Sequence, residues 1–451
     1  MRVLVVSWEY PPVVVGGLGR HVHALTRELA AAGHDVVVLT RRPAGSDAGT
    51  HPTQDERVDG LRVLRVAEDP PHLEFATDIV AWTLAMGHAL LRAALTRLAG
   101  WRPEVVHAHD WLVAHPAIAL ADATGAPLVA TVHATEAGRW GGWLSSAVSR
   151  QVHSTEWWLA HRADALITCS AAMRAEVAEL FDLDPDRIAV LHNGIAPGGW
   201  RRPRTAVAAV RERYARDRAP LLLYVGRLEH EKGVQDLIAA LPRIRRRHPG
   251  ARLLVAGTGT AAALLADAAR THRVLRAVRF LGHLPDADLA ALLAAVDAVV
   301  LPSRYEPFGI VALEAAAAGA PLVASTAGGL GDVVVDGVTG VSFPPGDVPA
   351  LAAAVDAVLA DPATARRRAR AARARLREEF DWARIAAGTA EVYARTAPGG
   401  PRELPRPKIG SGNAFGRYAA SSESTAAASG AVASRPASSA SSATAGSPAS
   451  T

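Results

Sequence analysis

The sequence predicts an α/β protein of two doubly wound domains facing across a cleft, and three observations carry that reading. Short β-rich apolar runs alternate with longer Ala/Leu-rich helical segments, the pattern of parallel strands covered by helices. The alternation occurs twice, on either side of a proline- and glycine-rich stretch at 196–220. A length of 451 residues suits two domains and an appendage at roughly 100–200 residues per domain.

In the first half, strands are expected at 3–7, 36–40, 63–66, 105–108, 128–132, 165–169 and 188–191. A helix is expected at 18–32, and Gly33 stands where a left-handed residue can end it. In the second half, strands at 221–225, 252–256, 278–281, 298–301 and 322–324 each precede a helix. The expected domains are therefore 1–197 and 198–380, joined by the 196–220 stretch as linker. A helix at 381–397 follows, then a tail at 398–451. The tail is Ala/Ser/Pro/Gly-rich, too poor in large apolar residues to pack, and is expected to be disordered.

Composition narrows the function. The chain is 49% apolar and 5% aromatic, with a net charge of +5. Beyond residue 400, five basic residues face two acidic ones, so +3 belongs to the tail and +2 to the first 400 residues. A nearly neutral body excludes a duplex-binding surface, and no nucleic-acid partner is expected. The single cysteine, Cys169, permits no internal disulfide, ends an apolar run and reads as a buried thiol in a reducing compartment. The first residues read as a strand and not a signal peptide. The longest apolar stretch, 289–301, contains Asp297 and falls short of a membrane span. Cytoplasmic location is expected. The arginines between 366 and 377 and those at 243–247 read as solvated faces, with an acidic membrane or polyanion as the alternative. Nothing in the sequence specifies an oligomer.

The most informative segment is Ser303-Arg304-Tyr305-Glu306-Pro307-Phe308-Gly309-Ile310-Val311-Ala312-Leu313-Glu314. Pro307 suits a first helical position. A helix starting there would offer the amides of Phe308, Gly309 and Ile310 to an anion. Glu314 would follow roughly 10–12 Å further along the axis, at 1.5 Å per residue. A phosphate at the tip with carboxylates on either side suits a nucleotide sugar. The chain has only two lysines, Lys232 and Lys408, among 49 basic residues. Lys232 shares a strand-to-helix loop with Arg227, where open parallel sheets bind ligands. An ammonium retained there points to phosphate contact, a solvated loop lysine being the alternative.

Four further motifs are weaker. Gly16-Gly17-Leu18-Gly19 follows the first strand, but Val22 breaks the dinucleotide glycine spacing and no acid ends the second strand, so NAD is excluded. Packing of the turn or phosphate contact remain. His107-Ala108-His109-Asp110-Trp111 closes a strand; no third ligand with metal-site spacing stands nearby in sequence, so no metal is expected. Asp110 and Trp111 are candidates to face an acceptor, with packing as the alternative. His133 also ends a strand and can donate to or accept from a sugar hydroxyl, with a packed and satisfied histidine as the alternative. Asp182-Leu183-Asp184-Pro185 reads as a turn, and Gly257-Thr258-Gly259 as a junction near the nucleotide.

Together these motifs resemble the retaining GT-B glycosyltransferases of family 4. The marks are the Glu306/Glu314 pair, the Gly226-Arg227-Leu228 to Glu231-Lys232-Gly233 loop and the early glycine turn. Ser7-Trp8-Glu9-Tyr10-Pro11-Pro12, the 107–111 segment, His133-Ala134-Thr135-Glu136-Ala137-Gly138-Arg139 and Tyr305-Glu306-Pro307-Phe308-Gly309 are similar, more narrowly, to actinobacterial glycogen-synthase-like α-1,4-glucosyltransferases, including those linked to methylglucose lipopolysaccharide. The likeness extends to about residue 397. It implies a nucleotide-glucose donor (UDP or ADP), an α-glucan acceptor, retained anomeric configuration and no cofactor. It also implies that Arg227 and Lys232 hold the diphosphate and that Glu306 contacts the transferred sugar beside the Phe308, Gly309 and Ile310 amides. Glu314 would bind ribose, His133 the donor sugar, and Gly17 would lie near the phosphates. The last helix would cross back to the first domain. Asn193-Gly194-Ile195 is followed by Ala196 where the family often has Asp, which bears on a hinge-side hydrogen bond and not on the chemistry. A phosphorylase would need a lysine for pyridoxal phosphate, and the folded body has none to spare. A nucleotide-sugar epimerase, a non-catalytic glycan-binding protein, and a family member with another hexose or a lipid or small-molecule acceptor remain as alternatives.

Overall fold

The computed structural model describes residues 1–14, 16–43, 52–67 and 72–396. The expected tail at 398–451 lies outside these residues. Two sheets form. The first runs in the order β3-β4-β2-β1-β5-β6-β7-β8, built from β1 (Arg2–Val6), β2 (Asp35–Arg41), β3 (Gln54–Val58), β4 (Leu61–Val66), β5 (Val105–His109), β6 (Leu128–Val132), β7 (Ala165–Thr168) and β8 (Ile188–Val190). The second runs β11-β10-β9-β12-β13-β14, from β9 (Leu221–Val225), β10 (Arg252–Ala256), β11 (Val278–Gly282), β12 (Ala298–Leu301), β13 (Leu322–Ser325) and β14 (Val341–Phe343). Every pairing is parallel except β3 with β4. Central strands such as β6 and β12 are buried along their whole length. Helices cover both faces of a parallel sheet, so such strands are written as unbroken apolar runs.

Strand order reverses between β1 and β5 in the first sheet and between β9 and β12 in the second. Loops at the carboxyl ends of strands on either side of such a reversal diverge and leave a crevice. The segments after β9 and β12 are those containing Arg227–Lys232 and Ser303–Glu306. The segments after β1 and β5 contain Trp8–Glu9 and Asp110–Trp111.

Three differences from the sequence reading have physical causes. β3, sequence Gln-Asp-Glu-Arg-Val, is an exposed edge strand without apolar alternation. The 196–220 stretch is not a bare linker: it contains the helix Arg204–Ala215, preceded by a short turn at Pro197–Trp200. Among the single helices of the described residues, Ile79–Arg97, rather than 289–301, is the one long and apolar enough by composition to cross a membrane. Its Trp82, Met86, Leu90 and Ala94 face the core beside the first sheet. The arginine-rich helix Pro362–Glu379 is largely solvated, although Arg375 binds Glu379 and the Val333 carbonyl.

The helix Trp382–Arg395 returns to the first domain. Ala386, Val392 and Tyr393 pack with Val3, Val5, Leu25 and Leu29, and Tyr393 Oη bonds His107 Nδ1 at 2.7 Å. The crossing between domains is tight. Ile195 N donates to the Phe380 carbonyl at 2.9 Å, and a Cβ on Gly194 would meet the Trp382 ring at 2.6 Å.

The loop after β9 depends on a backbone-to-backbone approach. Gly226 and Gly257 have φ of 147° and 139°, and a Cβ on Gly257 would lie 1.9 Å from the Gly226 carbonyl oxygen. Gly257→Ala is expected to cost at least about 2 kcal/mol and to lower the thermal midpoint by several degrees in a melt. Gly331→Ala, where a Cβ meets nothing within 4 Å, is the control. Equal midpoints for the two variants would contradict this packing.

Candidate active site

The second sheet's reversal brings two distant loops together. Tyr224, buried in β9, donates from Oη to the Arg227 carbonyl at 2.7 Å. The chain then makes a short turn at His230–Lys232 and passes through Gly233 in the left-handed region, φ 68°. A Cβ on Gly233 would sit 1.9 Å from the Pro302 carbonyl oxygen, so the Lys232 turn lies flat on the end of β12. The amides of Arg304 and Tyr305 donate to the Glu231 carbonyl at 2.8 and 3.1 Å. Arg304 clamps Asp236 with two bonds of 2.8 Å. These contacts carry Lys232 Nζ to 2.9 Å from Glu306 Oε2 across 74 residues of sequence. Ser303 Oγ donates to the same oxygen at 3.1 Å. An ammonium has three donors, so the bond to Glu306 orients Lys232 and leaves two for a ligand. Arg227, more exposed, lies 3.2 Å from Glu231.

The helix after Glu306 starts later than its sequence implies. It spans Ile310–Ala318, with Gly309 as its cap at φ 99°. Pro307 and Phe308 therefore precede it, correcting the expected start. The cause is packing. Gly329 N donates to the Glu306 carbonyl at 2.9 Å, and the Gly328-Gly329 backbone presses on Glu306 and Pro307 so closely that a Cβ on either would lie 2.3 Å from a carbonyl oxygen. The Pro307 carbonyl accepts from Ser170 Oγ at 2.7 Å. Phe308 is buried against Phe380 and His192. Of the three expected amides, that of Ile310 opens the helix, with Val311 next to it. Glu314 is the fifth helical residue, roughly 6 Å along the axis from Ile310 at 1.5 Å per residue.

Glu314 is 5% exposed, and burial pushes its carboxyl up to about 7, against the pull of Arg20. Arg20 spans the two domains. Its guanidinium donates to Glu314 Oε1 at 2.9 Å and to Asp286 Oδ1 at 2.7 Å. The first helix, Gly17–Ala31, meets the Ile310 helix nearly end to end: a Cβ on Gly17 would lie 2.6 Å from Ile310 Cδ1. An added Cβ at Gly17 would displace the Ile310 terminal methyl, so the two domains approach closely at this point. Beside it, Glu9 Oε2 accepts from the Gly16 and Gly19 amides at 3.0 and 3.3 Å, so those two amides already meet a carboxylate.

On the first-domain side, His133 extends from the end of β6. Its amide donates to Asp110 Oδ1 at 2.7 Å. Asp110 itself has φ 62°, and burial raises its carboxyl to about 6. The Asp110 carboxylate therefore anchors the β6 end, and Trp111 packs half-buried against the core. His109 Nδ1 and His133 Nε2 are 3.0 Å apart. His109 Nε2 is buried without a partner among the described residues. The proton is assigned from that network. A buried orphan N–H is costlier than an orphan lone pair, so His109 carries its proton on Nδ1 and donates to His133 Nε2. His133 then holds its own proton on Nδ1. Burial drives its pKa down to about 4, so it is neutral at pH 7.

Sequence spacing offered no third partner for the 107–109 pair, and the fold instead gathers a trio in which His109 takes part and His107 does not. His21, His109 and His133 each place a nitrogen within 4.8 Å of the others, close enough for a metal. One nitrogen of each ring already has a partner: His21 Nδ1 meets Asn193 Oδ1 at 2.6 Å, and His109 Nδ1 pairs with His133 Nε2 within the trio. His107 bonds Tyr393 and Thr131. The Asn193–His21 bond also ties the inter-domain crossing.

Several groups at the site were not anticipated. Tyr305 Oη accepts from Thr135 N at 3.3 Å and donates to Glu176 at 3.0 Å. Together with Ser170 and Arg20, this fixes the Glu306 loop against the first domain. A Gly-Gly pair three residues past the end of β13 was the available signal for the 328–329 loop. The side chains reaching across the cleft left none. Asp182 and Asp184 sit in a turn, as expected, and Gly259 packs on Leu228.

Comparison with known proteins agrees with this geometry. Residues 15–198 match the family model described as Glycosyltransferase Family 4, and residues 209–375 match Glycosyl transferases group 1. The chain is 59% identical over 416 residues to glycogen synthase of Mycobacterium tuberculosis, spanning 90% of this chain and 97% of that protein. It is 32% identical to alpha-maltose-1-phosphate synthase of Mycolicibacterium smegmatis, over 88% of this chain and all of that one. Among solved structures, sucrose-phosphate synthase from Thermosynechococcus elongatus superposes with a TM-score of 0.75 at 25% identity, covering 87% of this chain and 98% of the other. The catalytic domain of starch synthase IV from Arabidopsis thaliana, bound to ADP and acarbose, gives 0.67 at 19% identity, covering 88% and 99%. The chain belongs to the family 4 glycosyltransferases of GT-B fold and is a hexosyltransferase.

Proposed function

We propose that this enzyme moves glucose from a nucleotide-glucose donor to the non-reducing end of an α-1,4-glucan, with retained configuration and without a metal. The observation that carries the reading is the Lys232–Glu306 contact of 2.9 Å beside the N-terminus of the Ile310 helix. It joins a cation, a carboxylate and helix-tip amides in one crevice. The 59% identity to a glycogen synthase over 90% of the chain supports glucose and glucan as substrates. A single buried cysteine fits a cytoplasmic enzyme.

In this reading the donor diphosphate lies between Arg227, Lys232 and the amides of Ile310 and Val311, and Glu314 accepts the ribose hydroxyls. Glu306, fixed by Lys232 and Ser303, meets the glucose hydroxyls on one side. His133, with its proton on Nδ1, donates to one from the other. The acceptor hydroxyl attacks from the face that the diphosphate leaves. As the anomeric carbon–phosphate oxygen bond breaks and the new glycosidic bond forms, the acceptor proton passes to the departing phosphate oxygen. Arg227 and Lys232 stabilise the charge that grows there. Asp110 supports His133 through its amide, and Trp111 shapes the wall behind it.

Fixed cations replacing a metal must each carry a large share of the stabilisation. Lys232→Gln and Arg227→Gln are each expected to lower kcat/KM by roughly 10²–10³, or about 2.7–4 kcal/mol, measured with a nucleotide-glucose panel and maltooligosaccharides. A loss of only a few-fold would contradict the assignment. Donor hydrolysis or isomerisation undiminished without glucan would favour an epimerase instead.

Glu314 supplies a pH test. Its raised pKa means that it is protonated below about 7 and ionised above, and the ionised form accepts from both ribose hydroxyls. Donor KM is therefore expected to fall as pH rises through 7. Glu314→Gln should remove that dependence and raise KM roughly 10–100-fold, the worth of one charge-assisted bond. An unchanged slope in the variant would place the titration elsewhere.

A further inference from the structure

The turn just beyond the His133 segment exposes two indole rings. The chain has ten tryptophans, of which eight are buried or half-buried. Trp140 and Trp143 are 61% and 73% exposed. They lie three residues apart on one turn, joined by the Trp143 N to Trp140 carbonyl bond, and are not scattered singly over the surface.

This turn is built firmly. Thr135 Oγ1 accepts from Gly138 N at 2.9 Å and caps the one-turn helix Glu136–Arg139. Gly141 and Gly142 take φ of 60° and 88°, which lets Gly142 N return to the Ala137 carbonyl at 2.8 Å and Trp143 N to that of Trp140 at 3.2 Å. Glu136 Oε1 accepts from Trp140 Nε1 at 3.0 Å and from Ser149 Oγ at 2.8 Å. The first ring is thereby held by its polar edge while its apolar surface meets solvent.

Position gives the patch a purpose. A Cβ on Gly138 would lie 2.6 Å from the Tyr305 ring, and Tyr305 precedes Glu306. Trp140 is two residues beyond Gly138 and Trp143 five, within roughly 7 and 18 Å of it at 3.3–3.6 Å per residue. The turn that carries Trp140 and Trp143 thus begins against the residue that precedes Glu306, on the first-domain side of that contact.

We infer that Trp140 and Trp143 form an outlying acceptor subsite, on which glucose units of an α-glucan stack by their apolar C–H faces. The inference rests on the glucan reading above and extends it to the length of chain that is held. A ring already fixed, as Trp140 is by Glu136, loses little freedom on binding a stiff ligand, and the released water supplies the driving force. A membrane surface is the other natural partner of exposed tryptophans, but it calls for basic flanks. Residues 134–150 carry one acid, Glu136, and two bases, Arg139 and Arg150, the latter turned back onto the Leu144 and Ser145 carbonyls, short of the cluster of basic residues that a lipid surface calls for.

The test uses the full-length enzyme and the double variant Trp140→Ala/Trp143→Ala, assayed at saturating donor with maltotriose and with glycogen. The glycogen KM is expected to rise roughly tenfold, the factor that 1.4 kcal/mol represents, while kcat, maltotriose KM and donor KM stay within about twofold. Trp140→Phe/Trp143→Phe should recover most of the glycogen KM. Tryptophan emission of the wild type should shift with glycogen and not with anionic phosphatidylglycerol vesicles. Equal KM values for glycogen in wild type and the Ala variant, or an emission shift with vesicles alone, would overturn the subsite. A wild type that uses no glucan would overturn the parent reading as well, and the wild-type assay by itself distinguishes that case. A changed donor KM in the Ala variant would also count against the subsite, because the rings would then serve the cleft's packing.

Discussion

The approach of Lys232 to Glu306 is the constraint on which the site depends. Opposite charges 2.9 Å apart in a half-buried crevice hold each other in place, and each costs the other some contact with water. The pair exists because two loops from either side of a strand-order reversal lie flat on one another. Gly233 rests on Pro302, and the Arg304 and Tyr305 amides meet Glu231. Replacement of either partner loses a ligand contact and also leaves the other group buried without its counter-charge.

The same loop links the two domains. Glu306 lies between Tyr305, which engages Thr135 and Glu176, and Pro307, which engages Ser170. Arg20 adds a second bridge through Glu314. The crossing at Asn193–Ile195 is held from both sides, by His21 and by Phe380. A displacement of one domain is therefore felt at both carboxylates of the donor site, which couples domain closure to the geometry of the reacting groups.

Much of this was legible in the sequence, for physical reasons. Strands buried on both faces are continuous apolar runs, so β6, β9, β10 and β12 were located to the residue. Lys232 stood out because arginine had replaced lysine nearly everywhere else. β3 was hidden because an edge strand open to water needs no apolar pattern. The helix start at Pro307 was misread because local preference yields to the Gly328-Gly329 backbone packed against it, a contact with partners some twenty residues away. Arg20, Ser170 and Glu176 were illegible for a simpler reason: each acts on a group at least 129 residues distant, and no local spacing records such a partner. The histidine cluster was half visible. His107 and His109 share a strand face, but His21 and His133 reach them only through the fold.

The most direct measurement is a crystal structure of the enzyme with a nucleotide-glucose bound. The account predicts phosphate oxygens within hydrogen-bond distance of Lys232 Nζ and of the Ile310 amide together, with ribose hydroxyls at Glu314. A diphosphate found away from both the 226–233 loop and the tip of the Ile310 helix would contradict it.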